Sequence, residues 1–479
     1  MSDWIPGTLE LTSKVRYGLT SKGTPIFRFV PYERSLLPFA VGCSQRNLFH
    51  NVHAIVAPSE PDKGKGSLQK AILIQNLGKP SEESELQVLL ANYAYDCKKK
   101  LRASASASSA EAGAEAAAAL THTDADTDAP RQEIKGYTFN IDPPGCRDVD
   151  DSFTFLKTGT TWQVSINIAD VSAWVQEGSP EDLMAMERAT SFYSTEGECL
   201  VPMFPRHISE GVASLGGDGP KPALSLQFTY DPSLASLASL KKHLSDFKWI
   251  QSTVTKTRSY TYDEANTCVN AKEELLALKA LTNSEDSHEW VERMMILYNE
   301  KAGEALKANK RGILRSHSAP QAQELQELVE IDPALAFLAY ESATFVLPTE
   351  DTRHFGLNSA AYAYASSPIR RYCDVVNQRA LKGILKTPIT QDLIDSLNRR
   401  QKQAKAFSRD LFFMTQLSSN NCESVEGTII DSKKVYVPVW KRCVKVRNLD
   451  LHKGTKVRLQ WFEDREKPNW KERIVFKVL

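Results

Sequence analysis

The run Tyr137-Thr-Phe-Asn-Ile-Asp-Pro-Pro-Gly-Cys-Arg-Asp-Val-Asp-Asp-Ser152 places four aspartates, Asp142, Asp148, Asp150 and Asp151, within ten residues. Ahead of them Tyr137, Phe139 and Ile141 alternate with polar residues, the period of a half-buried strand. Pro143-Pro144-Gly145 then breaks the strand and forces a turn. The strand end therefore delivers Asp142, and the following loop folds three more carboxylates back towards it. Carboxylates this close repel one another unless positive charge sits among them. A hard divalent cation with oxygen ligands supplies that charge, and Mg²⁺ also recruits anionic substrate oxygens to its shell. The alternative is a solvated acidic turn. Phe153 and Phe155 after the loop, with the apolar strand before it, favour burial and hence the metal.

Working outward, 479 residues exceed one compact core, and roughly two to four domains are expected. Basic and acidic residues balance at 59 each, so overall charge carries no nucleic-acid footprint. Any strand path must be a local basic stripe. The eight cysteines show no CxxC pairing, which reads as reduced thiols without a disulfide framework or zinc site. The N-terminus has no charged-then-apolar leader, and no apolar run is long enough to span a membrane. These features predict a soluble intracellular protein, cytoplasmic or nuclear, with no membrane partner.

From about Gly7 to Tyr93, short apolar runs such as Ile26-Phe-Arg-Phe-Val and His53-Ala-Ile-Val alternate with turn residues, predicting a small barrel or sandwich. Residues 101–130 are rich in Ala and Ser and cannot bury enough apolar surface to order; they read as a disordered linker. Past the aspartates, Val164, Ile166 and Ile168 alternate as a strand, and Ser179-Pro180-Glu-Asp opens a helix with a cap, a first-position proline and acids at the positive end. Trp290 to Lys307 has the spacing of an amphipathic helix.

In Ser366-Ser-Pro-Ile-Arg-Arg-Tyr-Cys-Asp374, Ser367 is expected to cap a helix and Pro368 to take its first position. Arg370 and Arg371 would then crowd a positive dipole, which points to a bound anion, or else to pairing with Asp374. After Asn420 short strands return and predict a second small barrel. There Lys434, Lys441, Arg442, Lys445 and Arg447 interleave with Tyr436 and Trp440, the composition of a single-strand groove or of a merely solvated face.

The segment Asp142-Pro-Pro-Gly-Cys-x-Asp-x-Asp-Asp151 closely resembles the signature of the ribonuclease II (RNB) family in its exosome-type form. Ile168-Ala-Asp-Val-Ser172 and Ser367-Pro-Ile-Arg-Arg-Tyr-x-Asp374 match further family patterns. The resemblance implies an α+β multidomain protein: an RNB catalytic domain with a mixed sheet and surrounding helices, flanked by small OB-fold barrels. The boundaries it suggests are a cold-shock-like barrel over 1–100, the linker over 101–130, the catalytic domain over 131–419 and an OB-fold over 420–479.

It further implies a 3′-to-5′ exoribonuclease that hydrolyses single-stranded RNA processively to 5′-mononucleotides and acts as a monomer. Asp142, Asp148, Asp150 and Asp151 would hold two Mg²⁺, with Mn²⁺ as a substitute, and Asp150, Asp148 and Arg370 would carry catalysis. Tyr193 would stack on the terminal base, Glu292 would contact a ribose hydroxyl, and Arg370 would contact the scissile phosphate. Arg371, Lys434, Trp440 and Arg442 complete the expected RNA contacts. An extra nuclease domain and a further barrel found in exosome-type relatives are not expected.

The chain departs from the family where histidines are usual, at Asn167, Tyr364 and Gln378, and where a glutamate is usual, at Ser408. Two rival readings follow: a catalytically weak or inactive RNB-type RNA-binding protein, and a DNA-directed nuclease.

Overall fold

The computed structural model describes residues 4–46, 48–59, 68–94, 130–233, 247–349, 351–419, 424–446, 451–464, 467 and 470–479. The linker predicted over 101–130 lies outside these residues but for Pro130, as does Arg447. The chain folds into two compact units that interleave along the sequence. One gathers 1–107, 320–340 and 403–479; the other gathers 108–319 and 341–402.

The first unit begins with a closed barrel of β1 (Ile5–Leu9), β2 (Ile26–Pro31), β3 (Phe39–Gly42), β4 (Val52–Pro58) and β5 (Gln69–Gly78), in the order β1-β2-β3-β5-β4. Alternation in β2 sends Phe27 and Phe29 inward, where they meet Val41, Val52 and Val56. Gly7 crosses so close to the Val30 carbonyl and the Phe29 ring that a Cβ has no room. Helix α1 (Glu82–Tyr93) follows, with a Ser81/Ser84 capping box.

The second unit is built on a mixed seven-stranded sheet. Its strands are β6 (Gln132–Glu133), β7 (Tyr137–Asp142), β8 (Asp151–Thr158), β9 (Thr161–Ala169), β12 (Pro220–Tyr230), β13 (Lys248–Thr255) and β14 (Arg258–Thr261). They run in the order β14-β7-β8-β9-β12-β13-β6, with short ribbons β10 (Phe192–Tyr193) and β11 (Cys199–Val201) outside it. Only β14 against β7 and β6 against β13 are parallel.

The period of two gives this sheet two different faces. Phe139, Phe153, Phe155 and Ile166 pack beneath α4 (Glu273–Thr282) and α5 (Ser287–Ala308), against Leu278, Trp290 and Met294. Ahead of these run α2 (Pro180–Arg188) and α3 (Tyr262–Cys268). Ser179 caps α2 and Pro180 opens it, as the sequence predicts.

The other face is a buried polar ladder. Asn167 Nδ2 donates to Thr154 (2.9 Å) and Ser152 (3.3 Å), and its Oδ1 accepts from Ser225 (2.7 Å). Asn167 is thus a satisfied sheet residue. Gln378 plays a similar part: its Nε2 donates to the Ala169 carbonyl at 2.8 Å and so ties α6 (Tyr372–Lys382) to the end of β9.

Near that junction Asp170 is fully buried and accepts from Arg131 (2.6 Å), Lys382 (2.7 Å) and Ser172 (2.6 Å). A two-stranded ribbon of β15 (Leu314–Ser316) and β16 (Thr344–Val346) completes the unit. Helix α7 (Gln391–Ser419) carries the chain back into the first unit.

There β17 (Val425–Asp431), β18 (Lys434–Val437), β19 (Arg442–Lys445), β20 (Lys456–Glu463) and β21 (Ile474–Val478) form an antiparallel sheet in the order β19-β18-β17-β20-β21. Among the described residues this sheet forms a half-barrel, consistent with the second small OB-type barrel expected there. Leu328 and Leu335 of the 320–340 segment pack on Tyr436. Trp440 is only 2% exposed, its ring set against Phe413 (centroids 5.2 Å apart) and Phe476 (5.6 Å). It is a core residue of this unit, where the resemblance implied an RNA contact.

Arg442 donates to Asp410 at 3.0 Å and lies over the Phe413 ring, while Lys434 stays exposed beside Asp431 (3.3 Å). The α+β multidomain class, with a mixed sheet, surrounding helices and small flanking β-structures, is the one expected. The described cysteines are free, and no helix among the described residues is long and apolar enough to cross a membrane.

Candidate active site

Strand β7 ends on Asp142 and β8 starts on Asp151, and the register Tyr137↔Phe155 to Phe139↔Phe153 pairs the two strands up to the turn. The reversal begins where the Cys146 N–H donates to the Pro143 carbonyl (3.2 Å), with Gly145 at φ +79°, a value that favours glycine. Asp142, Asp148, Asp150 and Asp151 thereby line one cavity of about 910 Å³.

A second segment closes on them from far along the chain. The Ile369 N–H donates to Asp150 Oδ1 at 2.8 Å, and Arg370 Nε donates to Asp150 Oδ2 at 3.2 Å. Here the helix expectation is corrected. Ser367–Arg370 is a turn, and α6 begins only at Tyr372, with Arg371 as its N-cap residue. The physical reason is a competing strand-like bridge. The Arg370 carbonyl accepts from the Ser191 N–H (3.0 Å), and the Tyr372 N–H donates to the Ala189 carbonyl (2.9 Å). Extended backbone at Arg371 cannot also be helical.

Arg370 and Arg371 differ in partners. Arg371 donates twice to Asp374 Oδ1, from Nε (3.1 Å) and Nη2 (2.6 Å), the pairing that the sequence left open. Arg370 reaches the acidic wall itself.

The electrostatics are those of an acid-rich pocket. Burial, opposed by Arg370 and the Ile369 N–H, pushes the Asp150 carboxyl up to about 7. Burial together with Asp142 and Asp150 pushes Asp151 well above the usual carboxylate range, and burial also raises Asp142. Burial is the largest cause at all three, and at Asp151 the neighbouring carboxylates add to it.

The remaining expected residues fall in two places. Tyr193, on β10, lines the cavity and donates its hydroxyl to Asp148 Oδ2 at 2.5 Å. Glu292 is exposed on α5 and lines the same cavity, as does Arg371. Lys434, Trp440 and Arg442 belong to the other unit.

Two residues of the cavity wall escape sequence reading. Asn299, two turns along α5 from Glu292, donates to Ser366 Oγ (3.0 Å) and Tyr362 Oη (3.2 Å) and accepts from the Ala365 N–H (2.9 Å). It holds the strand-like approach to the Arg370 turn. An amide set in an otherwise apolar helix stripe was its only signal. Tyr262, at the start of α3, also lines the cavity, and nothing local marks it.

The donor chemistry suits a hard divalent cation: anionic oxygens only, clustered, with carboxyls raised in the cation's absence. The arrangement is less complete. Among the described residues no three His, Cys, Asp or Glu side chains converge to hold an ion. Asp148 is drawn to Tyr193, and Asp150 to Arg370 and the Ile369 N–H.

Comparison with known proteins places this site in a family. The exosome complex exonuclease RRP44 homolog A of Arabidopsis thaliana is 25% identical over 432 residues, covering 70% of this chain and 46% of that protein. Ribonuclease R of Escherichia coli strain K12 is 25% identical over 319 residues, 51% of this chain and 39% of its own length. The chain thus spans less than half the length of these curated relatives.

Among solved structures, Mycoplasma genitalium RNase R in complex with ribose methylated single-stranded RNA superposes with a TM-score of 0.76 at 16% identity, covering 99% of this chain and 90% of that one. Yeast Ssd1, a pseudonuclease, gives 0.67 at 15%, covering 98% and 69%. At such identities these likenesses speak for the fold. The RNB domain matches residues 131–283 and 274–387, more than half of the sequence and all of the cavity's acidic and basic walls, so this chain belongs to the RNB domain family.

Proposed function

We propose that the chain is a Mg²⁺-dependent exoribonuclease that hydrolyses single-stranded RNA from its 3′ end, processively, to 5′-mononucleotides. The observation that carries this reading is the Asp150–Arg370 contact, which joins a carboxylate cluster to a phosphate-binding type of turn 220 residues away. Asp142, Asp148, Asp150 and Asp151 are the residues that would hold Mg²⁺, two ions per site, with Mn²⁺ a substitute. When bound there, the metal supplies an activated water and steadies the leaving 3′ oxygen.

The chain's own residues do the rest. Asp150 grips Arg370 by its Nε edge, and Ser367 Oγ accepts from Nη2 at 3.1 Å, so the guanidinium is fixed before substrate arrives. A fixed cation aimed at a phosphate that gains charge in the transition state is worth about 3–4 kcal/mol in comparable sites. Tyr193, anchored through its hydroxyl, offers a ring for the terminal base, a contact worth roughly 1–3 kcal/mol that ignores sequence. Glu292 lies on the wall where a ribose hydroxyl would be read, which favours RNA over DNA. Lys434 and Arg442 are the remaining expected RNA contacts, on the unit that carries the C-terminal sheet.

The test is purified protein on a 5′-labelled single-stranded RNA with Mg²⁺, beside Asp150→Asn. The expected result is a ladder or short end-product with release of 5′-mononucleotides, abolished in the variant. Tight binding without cleavage by either form would establish the second reading, an RNA-holding protein. The incomplete ligand convergence is the observation behind that second reading. Equal cleavage of matched RNA and DNA tails would instead point to a nuclease without sugar preference.

A further inference from the structure

Tyr364 stands where the family commonly has histidine, and it occupies an unusual place. The guanidinium of Arg315 lies over its ring at 4.2 Å from the centroid and that of Arg371 at 4.0 Å. The ring thus carries two guanidiniums. Phe345 and Tyr362 meet it edge-on, and the Tyr364 carbonyl accepts from Asn377 Nδ2 at 2.8 Å, which fixes the backbone beneath. Tyr364 and Arg371 both line the active cavity.

Arg315 makes this stack more than packing. It is 4% exposed, yet its hydrogen bonds go to neutral acceptors, Gln401 Oε1 (2.9 Å) and the Ala343 carbonyl (3.1 Å). Among the described residues no carboxylate lies within ion-pair distance of it. By contrast Arg379, also buried, has Asp182 at 2.8 Å, and the part-buried Arg131 has Asp170 at 2.6 Å. A buried guanidinium without an acid is costly, and aromatic faces offset only part of that cost. The fold therefore keeps an uncompensated positive charge directly behind the cavity wall. Arg371, which lines the cavity, has Nε and Nη2 taken by Asp374. Those bonds and the Tyr364 ring together hold its guanidinium.

We propose that Tyr364 is a positioning residue that holds Arg371 as a second phosphate-binding arginine, for the strand phosphate next to the one taken by Arg370. The buried Arg315 over the same ring adds positive charge that attracts such a phosphate. This inference rests on the exoribonuclease reading, because it needs a strand with successive phosphates in the cavity.

The experiment measures binding of a 5′-fluorescein oligouridylate in EDTA over a series of NaCl concentrations, together with steady-state cleavage in Mg²⁺. The expected outcome for Tyr364→Leu is affinity lower by about tenfold, in the range of a desolvated cation–π contact. The slope of log K against log salt should flatten by about 0.7, the mark of one lost phosphate contact on a single strand. KM should rise while kcat stays within about twofold, the sign of binding shared by ground and transition states. Tyr364→Phe should match wild type. Arg371→Gln should reproduce Tyr364→Leu, and the double variant should add nothing further.

A salt slope unchanged in a folded Tyr364→Leu protein overturns the inference, as does full additivity with Arg371→Gln. Should Tyr364→Leu lose its melting transition, Tyr364→Gln is read in its place by the same slope. Wild type that fails to bind the oligouridylate defeats the exoribonuclease reading and this inference with it. Wild type that binds normally, with a slope indifferent to Tyr364, defeats this inference alone.

Discussion

Asp150 and Asp170 are buried aspartates of the same unit, each beside basic side chains, and their carboxyls are driven in opposite directions. At Asp170 burial works against the charge, but Lys382 and Arg131 outweigh it and hold the carboxyl down at about 2. At Asp150 burial wins over Arg370 and the carboxyl rises to about 7. The count of neighbours explains the difference. Asp170 is one acid between two cations, with Ser172 as a further donor. Asp150 shares its cavity with three other aspartates and has one direct cation at 3.2 Å. A balanced cluster is finished as it stands. An acid-rich one is poised for a cation, and that separates a structural carboxylate from a working one more clearly than burial does.

The sharpest way to break this comparison is to neutralise each acid in turn. Asp150→Asn should lower RNA hydrolysis by on the order of 10³-fold while the thermal midpoint holds or rises, because repulsion in the cavity is relieved. A melting-point drop that accounts for the lost rate would make Asp150 a structural residue after all. Asp170→Asn should do the reverse. It leaves Lys382 and Arg131 buried without their acid and should cost roughly 3–5 kcal/mol in a denaturant titration, with kcat of the remaining folded protein near wild type.

The pH dependence follows with a definite sign. The Asp170 carboxyl is depressed in the folded state, so its contribution is present above its unfolded value of 3.8 and is lost as pH falls through about 2. The stability gap between wild type and Asp170→Asn should therefore be widest above pH 4 and narrow by about 2 kcal/mol towards pH 2. Reading it as a difference cancels His53, whose imidazole, lowered to about 4 by burial and Arg473, titrates in both proteins alike. A gap that stays constant with pH would show that the pairing is not electrostatic.

Cation addition sharpens the other half. Mg²⁺ should raise the melting point of wild type at pH 8 by a few degrees, and of Asp150→Asn by less, as binding to the folded state alone requires. Equal shifts would move the ion elsewhere. The smallest effect is expected at Glu292, which is exposed on the cavity wall. Glu292→Gln should reduce RNA cleavage by about fivefold and leave any DNA cleavage unchanged, since a single hydroxyl contact is at stake.

Much of the acidic wall was legible because it is local. A strand period, a Pro-Pro-Gly turn and four aspartates in ten residues settle their own geometry, whatever the rest of the chain does. The start of α2 at Ser179-Pro180 was legible for the same reason, since a cap and a fixed φ act within one turn. At Ser367-Pro368 the same signal failed. A bridge from Thr190, distant in sequence, claimed the backbone of Arg371 and delayed the helix to Tyr372. Trp440, among lysines and arginines, read as part of a single-strand groove or a solvated face, but Phe413 and Phe476 pack against it, and neither is near it in sequence.

The sequence by itself determined the chemistry on offer: which segment brings carboxylates, which brings arginines, and that both sit beside turns. Tertiary structure alone decided how those groups meet. It gave Arg370 to Asp150 and Arg371 to Asp374, it drew the tyrosine of β10 to Asp148, and it set two guanidiniums over Tyr364. The reason is range. Strand period, caps and turns act over a few residues and can be read along the chain. Charge pairing and burial depend on which segments the fold brings within a few ångströms, and no spacing along the sequence records that.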